Sequence, residues 1–154
     1  MKKLIYGTQE FLDILKNTLN NDEKFRSLGK EDYTASEIII IKDLKIGFWQ
    51  KTIDGEIKEL FLIPKNKISE YETMAEISYY IENYETVTKL CTENISFIQM
   101  IIDGQIDVKG NLKKLKKIQS ANERMEKILK EICKNSLVLN KEQYIKWLAQ
   151  NNFL

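Results

Sequence analysis

Gly104-Gln105-Ile106-Asp107-Val108-Lys109-Gly110-Asn111-Leu112 decides how this chain is read: a helix stops, a short strand runs, and another helix starts. Apolar Ile106 and Val108 alternate with polar Gln105, Asp107 and Lys109, so one face of the strand is buried and the other is wet. Gly104 suits the left-handed position that ends a helix. Gly110 allows a sharp turn, after which Asn111 can cap the next helix. None of these residues is reactive, so the stretch speaks to architecture rather than chemistry.

Working outward, Val87, Leu90, Cys91, Ile98, Ile101 and Ile102 are spaced as one helix over residues 84–102. Before it, Ile77, Tyr79 and Ile81 face one way, as in a strand. A helix between two strands predicts a right-handed crossover, and therefore a parallel pair of strands around it. After the opening stretch, Leu112, Leu115, Ile118, Met125, Ile128, Leu129 and Ile132 mark one side of a single long helix. Asn140-Lys141-Glu142-Gln143 caps a short final helix bearing Tyr144, Ile145, Trp147 and Leu148.

Towards the N-terminus, Thr8 caps a helix with Phe11, Leu12, Leu15 and Leu19 on one side. A short polar segment holding Phe25 and Leu28 follows. Residues 38–41 are apolar on both faces, as in a central strand. Leu44, Ile46 and Phe48 alternate with Lys45, Gly47 and Trp49, as in a half-exposed one. Asp54-Gly55 predicts a type I′ hairpin turn into residues 57–63, and Pro64 stops that strand. The order is helix, three-strand meander, crossover, strand, helix, strand, helix and tail. That predicts an α+β fold with helices packed on a five-stranded mixed sheet.

A chain of 154 residues with one proline and no Gly/Ser-rich linker reads as a single domain. Residues 1–134 are expected to form it, with 135–154 as a C-terminal helical tail packed on it. Apolar runs such as Ile38-Ile39-Ile40-Ile41 are far too short to span a membrane, and no signal-peptide core follows Met1-Lys2-Lys3. A cytoplasmic location is expected. The absence of histidine removes imidazole bases and metal ligands together. Cys91 and Cys133 are expected to be buried, reduced and inert, and two thiols alone do not make an ordinary zinc site.

The net charge of +1 conceals a segregation. Residues 68–107 carry eight acids against Lys89 alone, whereas residues 111–134 carry seven lysines and Arg124 against three glutamates. Two mutually attracting solvated faces explain this, as does a basic face for anionic headgroups. Nucleic acid is not expected, because only Arg26 and Arg124 could fork onto guanine.

The element order and the glycine-bracketed strand together resemble the sterol-carrier-protein family, the non-specific lipid-transfer type. The residues that carry the likeness are Phe97-Ile98-Gln99-Met100-Ile101-Ile102-Asp103-Gly104, then Ile106, Val108, Gly110-Asn111-Leu112 and Leu115, and it extends over residues 8–133. The resemblance implies non-catalytic lipid binding and transfer in an apolar tunnel between sheet and helices. On that implication Phe48, Phe61, Ile77, Tyr79, Phe97, Ile98 and Ile101 are the candidate lipid-binding residues, with plain core packing as the competing role. Asn111, Lys113 and Lys114 are the candidate headgroup or anion site, with a solvated helix face as the competing role.

A fatty acid, acyl-CoA or phospholipid is favoured over a sterol as ligand. No cofactor, metal or catalytic residue is expected, since no carboxylate spacing singles out an acid–base pair and no phosphate loop or nucleophile elbow occurs. The expected state is a monomer or weak homodimer in transient contact with a membrane surface. The alternative is a protein–protein interaction module of the same fold with a filled core. The tail, with Tyr144, Trp147, Leu148, Phe153 and Leu154, could serve as lid, membrane contact, dimer contact or packed end.

Overall fold

A computed structural model of the chain describes residues 3–154. In chain order the elements are β1 (Leu4–Ile5), α1 (Gln9–Asn20), α2 (Glu23–Gly29), β2 (Ala35–Ile41), β3 (Ile46–Ile53) and β4 (Glu56–Ile63). Then come α3 (Ile68–Met74), β5 (Ile77–Ile81), α4 (Tyr84–Thr92), α5 (Phe97–Ile102) and β6 (Ile106–Gly110). The chain closes with α6 (Leu112–Lys117), α7 (Gln119–Cys133), β7 (Ser136–Leu137) and α8 (Lys141–Gln150).

The sheet runs β4-β3-β2-β5-β6. The doubly apolar run places β2 at its centre, antiparallel to β3 (Ile39 opposite Phe48) and parallel to β5 (Ile39 opposite Tyr79). Positive φ at both Asp54 and Gly55 gives the hairpin turn between β3 and β4 its type I′ form. The fold is α+β on a five-stranded mixed sheet, as the element order predicts.

One pairing differs from the sequence reading. β5 and β6 are antiparallel, with Tyr79 opposite Val108, and the parallel pair is β2 with β5. The segment between β5 and β6 is two helices rather than one, so the chain doubles back instead of crossing over. Ser96 opens the second by accepting from the Gln99 amide at 3.0 Å. Lys130 on α7 holds the break, its Nζ donating to the carbonyls of Leu90, Glu93 and Ile95 at 2.8, 3.1 and 3.0 Å. These orphan carbonyls at the end of α4 thereby gain a cationic partner.

The opening stretch behaves as its glycines require. Gly104, at φ +78°, closes α5 with a paired motif: its own N–H reaches the Ile101 carbonyl and that of Gln105 reaches Met100. Gly110, at φ +108°, lies against β5, and a Cβ there would run into the Glu76 carbonyl oxygen.

Further differences follow from tertiary packing. Residues 23–29 form α2, capped by Asp22, where the polar composition suggests only a connecting segment. The crossover before β5 contains α3, whose Ile68 and Tyr71 cover Ile38, Ile40, Trp49 and Ile63 on the second face of the sheet. β3 is therefore covered on both sides near Trp49, which is buried, rather than half-exposed. The long basic helix breaks at buried Ile118 into α6 and α7. Cys91 on α4 and Cys133 on α7 form a disulfide with Cα atoms 5.4 Å apart, in place of two free thiols. Their 42-residue separation in sequence hides the fact that α4 and α7 pack side by side.

The last residues dock by polar as well as apolar contacts. β7 pairs in parallel with β1. Tyr144 and Leu148 of α8 are buried, and the Tyr144 hydroxyl donates to the Gly7 carbonyl at 2.7 Å. The Lys65 amide donates to the Phe153 carbonyl at 2.9 Å. Among the described residues, no helix is long and apolar enough to cross a membrane.

Candidate functional site

Strand alternation sends one set of side chains towards α1, α4, α5 and α7: Ile39 from β2, Phe48 and Gln50 from β3, Leu60 from β4, Tyr79 and Ile81 from β5. The helices answer with Phe11, Leu12 and Leu15 of α1, Val87 and Leu90 of α4, Phe97 and Ile98 of α5, and Met125 and Leu129 of α7. These two surfaces do not meet throughout. A cavity of about 170 Å³ lies between them.

Burial along β2 records the gap. Ile38 and Ile41 are fully buried, yet Ile39, between them in the middle strand, is only partly buried. Phe48, opposite it on β3, is also partly buried. A central-strand side chain beneath a helical layer keeps surface only where the packing stops short. The partly buried lining residues Phe97, Ile98, Leu115, Met125 and Leu129 place the opening on the side of α5, α6 and α7.

One part of the wall is polar. Glu37, buried and in phase with Ile39 and Ile41 on β2, reaches the cavity between two tyrosines. Tyr79 donates its hydroxyl to Glu37 Oε1 at 2.8 Å, and Tyr33 donates to Oε2. Gln50 Nε2 donates to the Tyr33 oxygen at 2.9 Å and to Thr52 Oγ1 at 3.1 Å, while Asn122 Oδ1 stands 3.3 Å from Tyr33 Oη. Burial raises the pKa of Glu37, against the lowering effect of the two phenol donors. Burial and the neighbouring Glu37 carboxylate push both phenols well above their ordinary range.

Glu123 and Glu126 of α7 also line the cavity. Glu126 accepts from the Phe97 amide at 3.0 Å, tying the start of α5 to α7, and partial burial raises its pKa. Among the described residues that line the cavity there is no lysine or arginine. Nor, among the described residues, do three His, Cys, Asp or Glu side chains gather into a metal-binding group.

Of the residues singled out in the sequence, Phe48, Tyr79, Phe97 and Ile98 line the cavity. Tyr79 and Phe97 meet edge to face with centroids 5.1 Å apart. Ile77 and Ile101 belong to the same core without lining the space. Phe61 lies on the opposite face of the sheet against Tyr71, because Leu60 and Leu62 hold the cavity-side phase of β4. At α6, the Asn111 side chain accepts from the Lys114 amide at 3.0 Å, Lys114 Nζ pairs with Glu76, and Lys113 is exposed.

Sequence reasoning missed Ile39, Leu60, the α1 and α7 walls and every polar lining residue except Tyr79. One signal was present: Glu37, Ile39 and Ile41 are spaced at i, i+2 and i+4. That spacing puts a carboxylate on the buried face of the most apolar strand.

No protein-family model and no curated protein matches the sequence. Among solved structures, the chain superposes on the crystal structure of sterol carrier protein 2 with a TM-score of 0.66 at 15% identity, covering 80% of this chain and 96% of that one. This is the sterol-carrier fold. A conserved hypothetical protein from Thermus thermophilus, described as possibly a sterol carrier protein, gives a TM-score of 0.65 at 15% identity, over 81% of this chain and 87% of its own. The UbiJ-SCP2 ubiquinone synthesis protein gives 0.53 at 9% identity, over 75% and 92%. The sterol-carrier fold thus accounts for the meander and the layered helices.

Proposed function

We propose that the protein binds a hydrophobic ligand reversibly and without catalysis, in the cavity between the sheet and the helices. The observation that carries this reading is the vacant space over Ile39 and Phe48. The size is informative. At about 170 Å³ the cavity slightly exceeds the ~150 Å³ apolar cavity that accepts benzene. It therefore admits a ring or a short length of chain, and a longer lipid would leave its remainder in the opening. Burying about six methylenes contributes roughly 5 kcal/mol at ~0.8 each, against an association cost of ~4–15 kcal/mol. Such a ligand binds weakly enough to be released, as transfer requires.

A ligand emerging between α5 and α7 would do so beside exposed Lys113, Lys116 and Lys117 of α6. On this reading the lysines meet anionic headgroups at a membrane surface, and Asn111 and Lys114 contribute through the helix cap and the pair with Glu76. Residues 1–134 form the binding unit, 135–154 a helical tail packed on it, and the protein acts as a monomer or weak homodimer. The expected cytoplasmic setting favours Cys91 and Cys133 as thiols, since glutathione and thioredoxin keep most cytosolic pairs reduced, whereas the bridged pair seen here favours an oxidising one.

Native mass spectrometry of the freshly purified protein tests the reading. A hydrophobic adduct that organic extraction removes supports it. A bare chain whose melting temperature ignores short-chain amphiphiles contradicts it and favours a protein-binding module of the same fold.

A further inference from the structure

The polar patch inside an otherwise apolar cavity points to the chemistry of the ligand's buried end. Tyr33, Glu37 and Tyr79 are each more than nine-tenths buried, and all three line the space. Burying a carboxylate in a hydrophobic core is costly. Each Glu37 oxygen receives one phenol, from Tyr79 at Oε1 and Tyr33 at Oε2. Each carboxyl oxygen has more than one lone-pair site, so capacity for a further donor remains on the cavity side.

We infer that the cavity selects ligands whose buried end is an uncharged hydroxyl, which donates to Glu37 and accepts from the Asn122 amide. This deepens the lipid-binding reading above and rests on it.

Three observations narrow the class to a hydrogen-bond donor that is not an anion. Among the described residues lining the cavity the ionisable ones are Glu37, Glu123, Glu126 and the tyrosines, with no lysine or arginine to receive an anion. A carboxylate or phosphate carried inside would lose its hydration and face like charge. Second, Lys130, the cation beside Glu126 at 3.8 Å, is committed to three backbone carbonyls. Third, Asn122 lines the cavity with its Oδ1 3.3 Å from the Tyr33 oxygen, the same hydroxyl that donates to Glu37. A hydroxyl bridging the two would use one donor and one acceptor. A methylene end would leave the Glu37 lone pairs facing hydrocarbon. The preference therefore favours alcohols over the fatty acids expected from the sequence, and any acidic group belongs outside, near α6.

The test is a matched eight-carbon series titrated into the full-length protein at pH 7.5 by ligand-detected NMR: 1-octanol, octyl methyl ether, octanoate and octylammonium. Leaving a buried acceptor unmet costs about tenfold in affinity, so 1-octanol should bind about tenfold tighter than octyl methyl ether and octanoate. Glu37→Leu should bring 1-octanol and the ether to equal affinity. Equal affinity for octanol and ether, or tighter binding of octanoate or octylammonium, overturns the inference while leaving the cavity reading intact. Failure of all four to bind overturns the lipid-binding reading itself. The wild-type series stands without any variant, so a misfolded Glu37→Leu does not spoil the test. Asn122→Ala is the second probe and should narrow the octanol-to-ether affinity ratio.

Discussion

Glu37 and Tyr79 lie on adjacent parallel strands, and the Tyr79 hydroxyl donates to Glu37 Oε1 at 2.8 Å inside the cavity. A carboxylate held this way has its pKa raised by burial, so the unfolded chain releases that proton at lower pH than the folded one. Folding stability should therefore fall as pH rises from the ordinary glutamate value of 4.5 through the raised one. Glu37→Gln removes that slope. Melting temperatures across pH 4–8 should show variant and wild type close together in acid, with the variant gaining as pH rises. Parallel curves would contradict the assignment.

Phe97 forms part of the cavity wall and meets Tyr79 edge to face. Phe97→Ala should cost about 1–2 kcal/mol of stability, less than a fully buried phenylalanine would. It should also weaken a bound amphiphile by widening the opening. Denaturant titration with and without 1-octanol checks both effects, and an unchanged ligand response would remove Phe97 from the site.

The bridge between Cys91 and Cys133 ties α4 to α7, two walls of the cavity. Closing a loop over a sequence separation of 42 corresponds to about 4 kcal/mol in the chain-entropy model. Reduction, or Cys91→Ser with Cys133→Ser, should lower stability by up to that amount. Thiol titration of denatured, unreduced protein should find the pair bridged, and two reactive thiols would sink this prediction.

Arg124 on α7 grips Asp22, the cap of α2, through Nε at 3.0 Å and Nη2 at 2.8 Å. The Arg124 hydrogen bond holds the Asp22 carboxyl below its ordinary range, so this stabilisation is present at neutral pH and is lost as pH falls through the lowered value. Arg124→Ala should flatten the acid limb of the stability profile. An acid limb identical to that of the wild type would show the pair to be energetically silent.

Much of the architecture was legible because short-range chemistry and the final packing agree. The two-sided apolar run at residues 38–41, the Asp54-Gly55 turn and the Gly104 and Gly110 signals each specify a local geometry that the fold retains. What escaped depends on contacts distant in sequence. The break between α4 and α5 is held by Lys130, and the reversal of β6 follows from that break. Cavity residues were partly readable from strand phase, as with Phe48 and Tyr79, but not the shortfall in packing over Ile39. Phe61 shows the limit: a large aromatic on the right strand, one residue out of phase.

The account depends on the space above Ile39 and Phe48 being empty and apolar enough to take a guest. Diffraction from a crystal held under xenon pressure addresses this directly. The account predicts a xenon site between Ile39, Phe48 and Leu129, displaced when 1-octanol is soaked in. A protein that takes up no xenon there, with helix side chains filling the gap over β2, would contradict it.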